Sequence, residues 1–221
     1  TLVAGLEVFS AEEMTQQIEL CIFEKKAEGD EFEEKDSIGF EDNDSSLLSL
    51  KADPSDSDKI WCLTSNKANR GRIHMGMISE ANASKVKDMI KFPQALAVSE
   101  TNIALVKGNQ VLIFPNESNE NASPSPFHLG KGEKLMGLSD CLISDVRFSG
   151  EDLILVGRKT GSFRVGGHLE DFFLASRTVG ETTPSNNWKV HAGSSDEREW
   201  GRSVEILPTG RILVTGTFKE S

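Results

Sequence analysis

The 221 residues carry a net charge of −11, which argues against a nucleic-acid backbone or an anionic membrane surface as partner, since both call for a basic face. Hydrophobic residues make up 37% and charged residues 27%, a polar but globular balance, and no apolar run approaches the ~20 residues that span a bilayer. The chain opens with Thr1-Leu-Val-Ala-Gly5 and not with Met or a basic segment followed by a long apolar one; no signal peptide is read, and the expectation from this opening is a piece from within a larger gene product.

In chain order, the first apolar run, Leu2–Gly5, is followed by Ser10–Gln17, where a Ser N-cap with Glu13 three residues on predicts one short helix. Glu19–Lys25 alternates as a strand, with a weaker one at Ser37–Phe40. The stretch Ala27–Ser46 is acidic and reads as a loop or strand–loop mixture. A first clear hairpin comes next, made of Leu47–Ala52, a Pro54/Ser55 turn, and Ile60–Ser65. Strands follow at Ile73–Ser79 and Val86–Phe92, then a second hairpin from Ala95-Leu-Ala-Val98 into Ile103–Gly108. Gln110–Phe114 and Lys134–Leu138 flank Pro115–Pro126, whose composition cannot bury a core. A third hairpin joins Asp145–Phe148 to Leu153–Gly157 through Gly150. Asp171–Ser176 and Trp188–Ala192 precede the last and clearest hairpin, Trp200–Phe218, turned at Pro208-Thr209-Gly210.

The apolar run closing each hairpin ends at Gly5, Ser65, Gly108, Gly157 and Gly216, at separations of 60, 43, 49 and 59 residues. A period of this size with four short strands per unit predicts an all-β chain of propeller blades, four antiparallel strands each, whose faces are buried only against neighbours. The units fall at residues 6–65, 66–108, 109–157 and 158–217, with 1–5 closing a preceding one. Trp188 and Trp200 are expected to pack between blades.

The last unit resembles the SBBP seven-bladed β-propeller repeat family. The resemblance rests on Asp171-Phe-Phe-Leu-Ala175, Trp188, the Gly193–Glu197 stretch and the Trp200–Phe218 hairpin, and the other three units share only the closing hairpin. Kelch and WD40 repeats are disfavoured, because neither a Gly-His with Trp-Asp pair nor a Gly-Gly doublet recurs. Seven blades at this period need roughly 350 residues, so four visible blades make this part of a larger propeller; a small closed propeller is the second reading. The resemblance implies a surface or secreted scaffold without shared catalytic machinery.

Chemistry-bearing residues are scattered. Asp53, Asp56 and Asp58 have the short carboxylate spacing that suits calcium, but lack the Gly and distant Glu of an EF-hand, so a solvated turn competes with a calcium site. His74, His128, His168 and His191 are the only histidines, and no G-x-S-x-G elbow accompanies them. Gly166-Gly167 opens no helix and makes no phosphate cradle. Asn43, Asn82, Asn116 and Asn121 head N-x-[ST] sequons outside the predicted blade strands. Cys21, Cys62 and Cys141 show no metal-ligand spacing; they are buried reduced thiols, or one disulfide and a leftover thiol.

These features predict a non-catalytic scaffold, without cofactor unless calcium binds, at the cell surface or outside the cell. Its loops would engage a protein or a glycan, and its edge strands at Thr1–Gly5 and Arg211–Phe218 other chains of an assembly. The alternative is a propeller-fold hydrolase or lyase, which requires His74, His128 or His168 to meet carboxylates in a polar axial pocket.

Overall fold

A computed structural model describes residues 2–10, 15–25, 31–40, 45–116, 133–135, 141–160, 170–179, 189–192 and 198–219. They form seventeen strands: β1 (Leu2–Ser10), β2 (Thr15–Lys25), β3 (Phe32–Phe40), β4 (Ser45–Ala52), β5 (Lys59–Asn66), β6 (Arg70–Met77), β7 (Asn82–Lys91), β8 (Pro93–Val98), β9 (Asn102–Lys107), β10 (Gln110–Pro115), β11 (Glu133–Leu135), β12 (Cys141–Ser149), β13 (Asp152–Thr160), β14 (Glu170–Thr178), β15 (Lys189–Ala192), β16 (Arg198–Ile206) and β17 (Ile212–Lys219). No helix occurs among the described residues. The helix expected at Ser10–Gln17 is overturned: Ser10 closes β1, Thr15–Gln17 open β2, and the two strands pair antiparallel from Leu2↔Phe23 to Ser10↔Thr15. A capping pattern of eight residues cannot outweigh two flanking β runs joined in one continuous antiparallel ladder.

The described residues fall into two compact units, one up to Pro93 and one from Gln94 on. The first holds a three-stranded sheet, β1-β2-β3, and a four-stranded meander, β4-β5-β6-β7. The second holds two further meanders, β8–β11 and β12–β15, and the hairpin β16-β17. The sheets are framed two strands later than the sequence units. Each of the four sheets from β4 on begins with the hairpin that is expected to end a unit, so the expected unit 66–108 draws its strands from two sheets.

The turns explain this frame. Lys107 pairs with Gln110, so only Gly108-Asn109 separates β9 from β10, and Gly108 sits at φ 59°. A two-residue, glycine-first turn holds its strands in one ladder, and a boundary placed there cuts a hairpin. Between β5 and β6 the Asn66 side chain accepts hydrogen bonds from the Ala68 and Arg70 amides, fastening another tight reversal. The chain changes sheets instead at Phe92, held at φ 53°.

Three first hairpins share one irregularity. The register shifts between Leu47 and Ser49 opposite Thr64–Leu63, between Ile143 and Asp145 opposite Gly157–Val156, and between Gly201 and Ser203 opposite Gly216–Thr215. An extra residue at the same place in each first strand is a β-bulge, which bends the strand and increases its twist. It also makes Ile60–Leu63, Leu153–Val156 and Ile212–Thr215 equivalent, and puts Thr64 rather than Ser65 beside Gly157 and Gly216.

Burial follows alternation along these equivalent runs. In β13, Leu153 and Leu155 pack against Ala104 and Val106 of β9, while Ile154 and Val156 pack against Val204 and Val214 of the β16–β17 hairpin. Sheet β12–β15 is therefore covered on both faces, which is why its second strand is apolar at consecutive positions instead of alternating. In the first unit, Ile60 and Cys62 of β5 join Ile18, Leu20, Ile22 and Ile38 of β2 and β3, and Trp61 and Leu63, on the other face of β5, are buried too. Gly5 of β1 fits this first-unit interface because a Cβ there would overlap Leu47.

Candidate functional site

The acidic tip between β4 and β5 is built for turning. Asp53 is 3% exposed; its Oδ1 accepts the amide and hydroxyl of Ser55 at 2.9 and 2.6 Å, and its Oδ2 accepts the Trp61 indole N–H at 2.8 Å. Asp56 Oδ1 accepts the Asp58 amide at 3.0 Å, and Asp58 accepts the Ser79 amide and hydroxyl at 2.7 and 2.5 Å. The three carboxylates thus face three different sets of donors and do not converge. Among the described residues no group of three His, Cys, Asp or Glu side chains could hold a metal ion. The spacing of Asp53, Asp56 and Asp58 that suits calcium equally suits Asx-type turns, and the buried indole of Trp61 engages the first of the three carboxylates.

Beside this tip lies a cleft of about 260 Å³, lined by Glu24, Lys35, Asp36, Ser57 and Asp58 over an apolar floor of Ile22 and Ile78. Lys35 is engaged by Glu24 at 2.8 Å. The cleft is smaller than the ~300–1,000 Å³ of ordinary small-molecule pockets, and neither histidine nor cysteine lines it beside its carboxylates and serines. His74, 5% exposed, meets the Phe40 ring edge-on, with centroids 4.9 Å apart, and lies in the interior of the first unit. His191 falls within β15, while His128, His168, Trp188, Gly166-Gly167 and Gly193–Glu197 lie outside the described residues.

A densely connected polar group of the second unit is one that the sequence did not single out. Asp145, immediately after the β12 bulge, accepts the Val146 amide and an Arg147 guanidinium N–H through Oδ1 at 2.8 and 2.7 Å. Its Oδ2 accepts the Ser203 hydroxyl and the Val204 amide at 2.7 and 3.1 Å. Ser203 occupies the same place after the β16 bulge, so one carboxylate couples equivalent positions of consecutive sheets. Arg147 continues to Glu205, 3.3 Å away. Aligning Ser144-Asp-Val-Arg147 with Arg202-Ser-Val-Glu205 is the signal that would have found this joint. Nearby, Trp200 lies between two guanidiniums, with Arg158 at 4.9 Å and Arg202 at 5.2 Å from the ring centroid. Since Arg158 belongs to β13, the Trp200 ring of β16 meets a side chain of the neighbouring sheet.

The sequons divide. Asn116 is 7% exposed and donates its Nδ2, the atom a glycan would occupy, to the Ser99 carbonyl at 2.8 Å. Asn82 is exposed and opens β7, within a strand and not outside the strands as expected. Asn43 and Asn121 lie outside the described residues. Cys21, Cys62 and Cys141 are free and buried, in line with the reduced-thiol reading. No protein-family model matches the chain, and no curated protein matches it either.

Proposed function

We propose that the chain is a run of propeller-type blades of the SBBP kind, acting as a non-catalytic scaffold that holds its inter-strand loops for a protein or glycan partner at the cell surface or outside the cell. The observation that carries this reading is the repeated construction: a bulged first hairpin, a second strand whose alternate residues serve opposite neighbours, and an Asp145–Ser203 joint between equivalent places. Side chains rich in chemistry are spent on turns and joints, which is how a scaffold uses them, and the loops are where function resides on such frames. The edge strands β1 and β17 offer a second kind of contact, with other chains of an assembly.

The test replaces residues 117–126 with a Gly/Ser linker of equal length and compares binding to an array of glycans and to candidate surface proteins. Binding by the intact chain that disappears in the variant, with the β-sheet circular dichroism unchanged, is the expected result. Equal binding by both chains, or turnover of a glycan on the array, overturns the scaffold reading.

A further inference from the structure

The repeat makes β17 an anomaly. Its Leu213 and Thr215 are the equivalents of Ile154 and Val156, which the next hairpin covers, and of Trp61 and Leu63. Trp61 and Ile154 are 1% and 4% exposed, but Leu213 is 52% exposed. Leu207, at the start of the adjoining turn, and Ile212 are also exposed. β17 hydrogen-bonds to β16 alone among the described residues, leaving an apolar strand with an open edge and an open face. Isolated exposed leucines need no explanation, but an apolar position that the same fold covers in each equivalent strand does.

Charge indicates what covers it. Residues 1–44 hold fourteen acidic side chains against three lysines, and so carry the whole net charge of −11. The β16–β17 hairpin is of opposite sign, with Arg198, Arg202, Arg211 and Lys219 against Glu199 and Glu205. Along β2, Ile18, Leu20 and Ile22 face the first-unit core, so Glu19, Cys21 and Phe23 alternate onto the opposite face of sheet β1–β3, where Glu34 pairs with Phe23. That side carries Glu19 and Glu34 against Lys25, while Glu24 and Asp36 lie with Ile22 on the other.

We propose that the open face and edge of β17 dock the outward, acidic face of sheet β1–β3 of a second copy, so that the chain stacks head to tail and continues its own layer-on-layer packing between molecules. The proposal deepens the assembly side of the scaffold reading; it rests on the stacked sheets and charges, not on the loops. Such an interface is heterologous, with a different surface on each partner, and it propagates into rings or filaments unless capped. Opposite charges set the partner and the register, and salt weakens them.

Light scattering on the full chain tests this across concentration and salt, with Leu213→Glu as a variant blocked at β17 and Glu34→Lys as one blocked at the acidic face. Leu213→Ser, a milder change, and the melting curve of each variant report on folding separately. The wild type is expected to grow beyond a dimer at low salt, and each variant alone to associate about tenfold more weakly or worse. A mixture of the two blocked variants retains one good surface of each kind and forms a dimer that grows no further. A wild type monomeric throughout overturns the proposal, as does an association that Glu34→Lys leaves intact, or a mixture that stays monomeric while both variants are folded. The loop-replaced chain used above should associate like the wild type, so failure of loop binding and failure of docking are told apart.

Discussion

The carboxylate of Asp145 receives the hydroxyl of Ser203 at 2.7 Å, across a separation of 58 residues. The same oxygen receives the Val204 amide, so the joint fixes backbone as well as side chain, at the point where the β16 bulge has freed a donor from the ladder. The carboxylate is mostly shielded, at 13% side-chain exposure. Removing it takes the acceptor from that amide and one of the acceptors from the Arg147 guanidinium, which keeps the Val146 carbonyl and Glu205, and Asp145→Ala is expected to cost about 2–3 kcal/mol. Ser203→Ala removes a single neutral donor and costs about 1 kcal/mol. Denaturant midpoints measure both, and amide exchange adds the location: β16 and β17 protons should exchange faster in Asp145→Ala while those of β4–β7 do not change. A uniform acceleration across all sheets would mean that the joint does not act locally.

Asp53 and Trp61 make the corresponding prediction for the first unit. The indole N–H and two Ser55 donors converge on a carboxylate with almost no exposure, and Lys59 Nζ stands 3.9 Å from it. Asp53→Ala orphans the buried indole N–H and opens the turn, at a cost of about 2–4 kcal/mol. Because the three tip carboxylates serve separate donors, melting curves of the wild type in calcium and in chelator should superimpose. A calcium-dependent rise in the midpoint that Asp56→Asn or Asp58→Asn abolishes would restore the tip as a cation site.

How much of this was legible in the sequence depends on whether the signal was local. The hairpins were: Pro54/Ser55, Gly150 and Pro208-Thr-Gly210 lie between β-rich runs, and each marks a reversal whose chemistry is complete within a few residues. The period was also legible, because equivalent second strands share an apolar run. The frame was not, since a two-residue turn at Gly108-Asn109 and a sheet-changing bend at Phe92 look equally like breaks in a string of letters. Nor was the alternation of Leu153-Ile-Leu-Val156 between two neighbours, as a continuous apolar run carries no period. Asp145 and Ser203 escape for a third reason: both look like ordinary polar residues of a strand, and only the bulge turns them toward each other. The acidic tip is ambiguous for the opposite reason, with a local spacing that suits a ligand and a buried tryptophan elsewhere that engages the first carboxylate.

Gly157 tests the close approach within sheet β12–β15. A Cβ there would overlap the Leu142 carbonyl oxygen and lie 2.7 Å from a ring carbon of Phe173; the first is backbone and cannot swing aside. Gly157→Ala is therefore expected to destabilise by about 2–3 kcal/mol, whereas Gly39→Ala, with nothing near its Cβ, is expected to be close to neutral. Paired urea titrations decide it, and equal midpoints for the two variants would show that the β12–β13 ladder tolerates the methyl by shifting.

The buried thiols set the alkaline limit. Burial pushes the Cys62 thiol far above its ordinary range, and burial followed by a hydrogen bond to Glu34 and the charges of Glu34 and Glu19 pushes Cys21 up as well. A folded-state pKa above the unfolded one means that the native state keeps a proton which the unfolded state releases. The stability these groups allow is complete below the unfolded thiol range, near pH 8.5–9, and is lost as pH rises beyond it. Each thiol adds a slope of up to about 1.4 kcal/mol per pH unit. Unfolding free energies measured from pH 7 to 10.5 should thus stay level on this account to about pH 8.5 and then fall, and Cys62→Ala should flatten the alkaline limb while lowering the neutral plateau through its small cavity. A limb equally steep in Cys62→Ala would assign the alkaline loss to other groups, and a rise in stability above pH 9 would reverse the sign argued for both thiols.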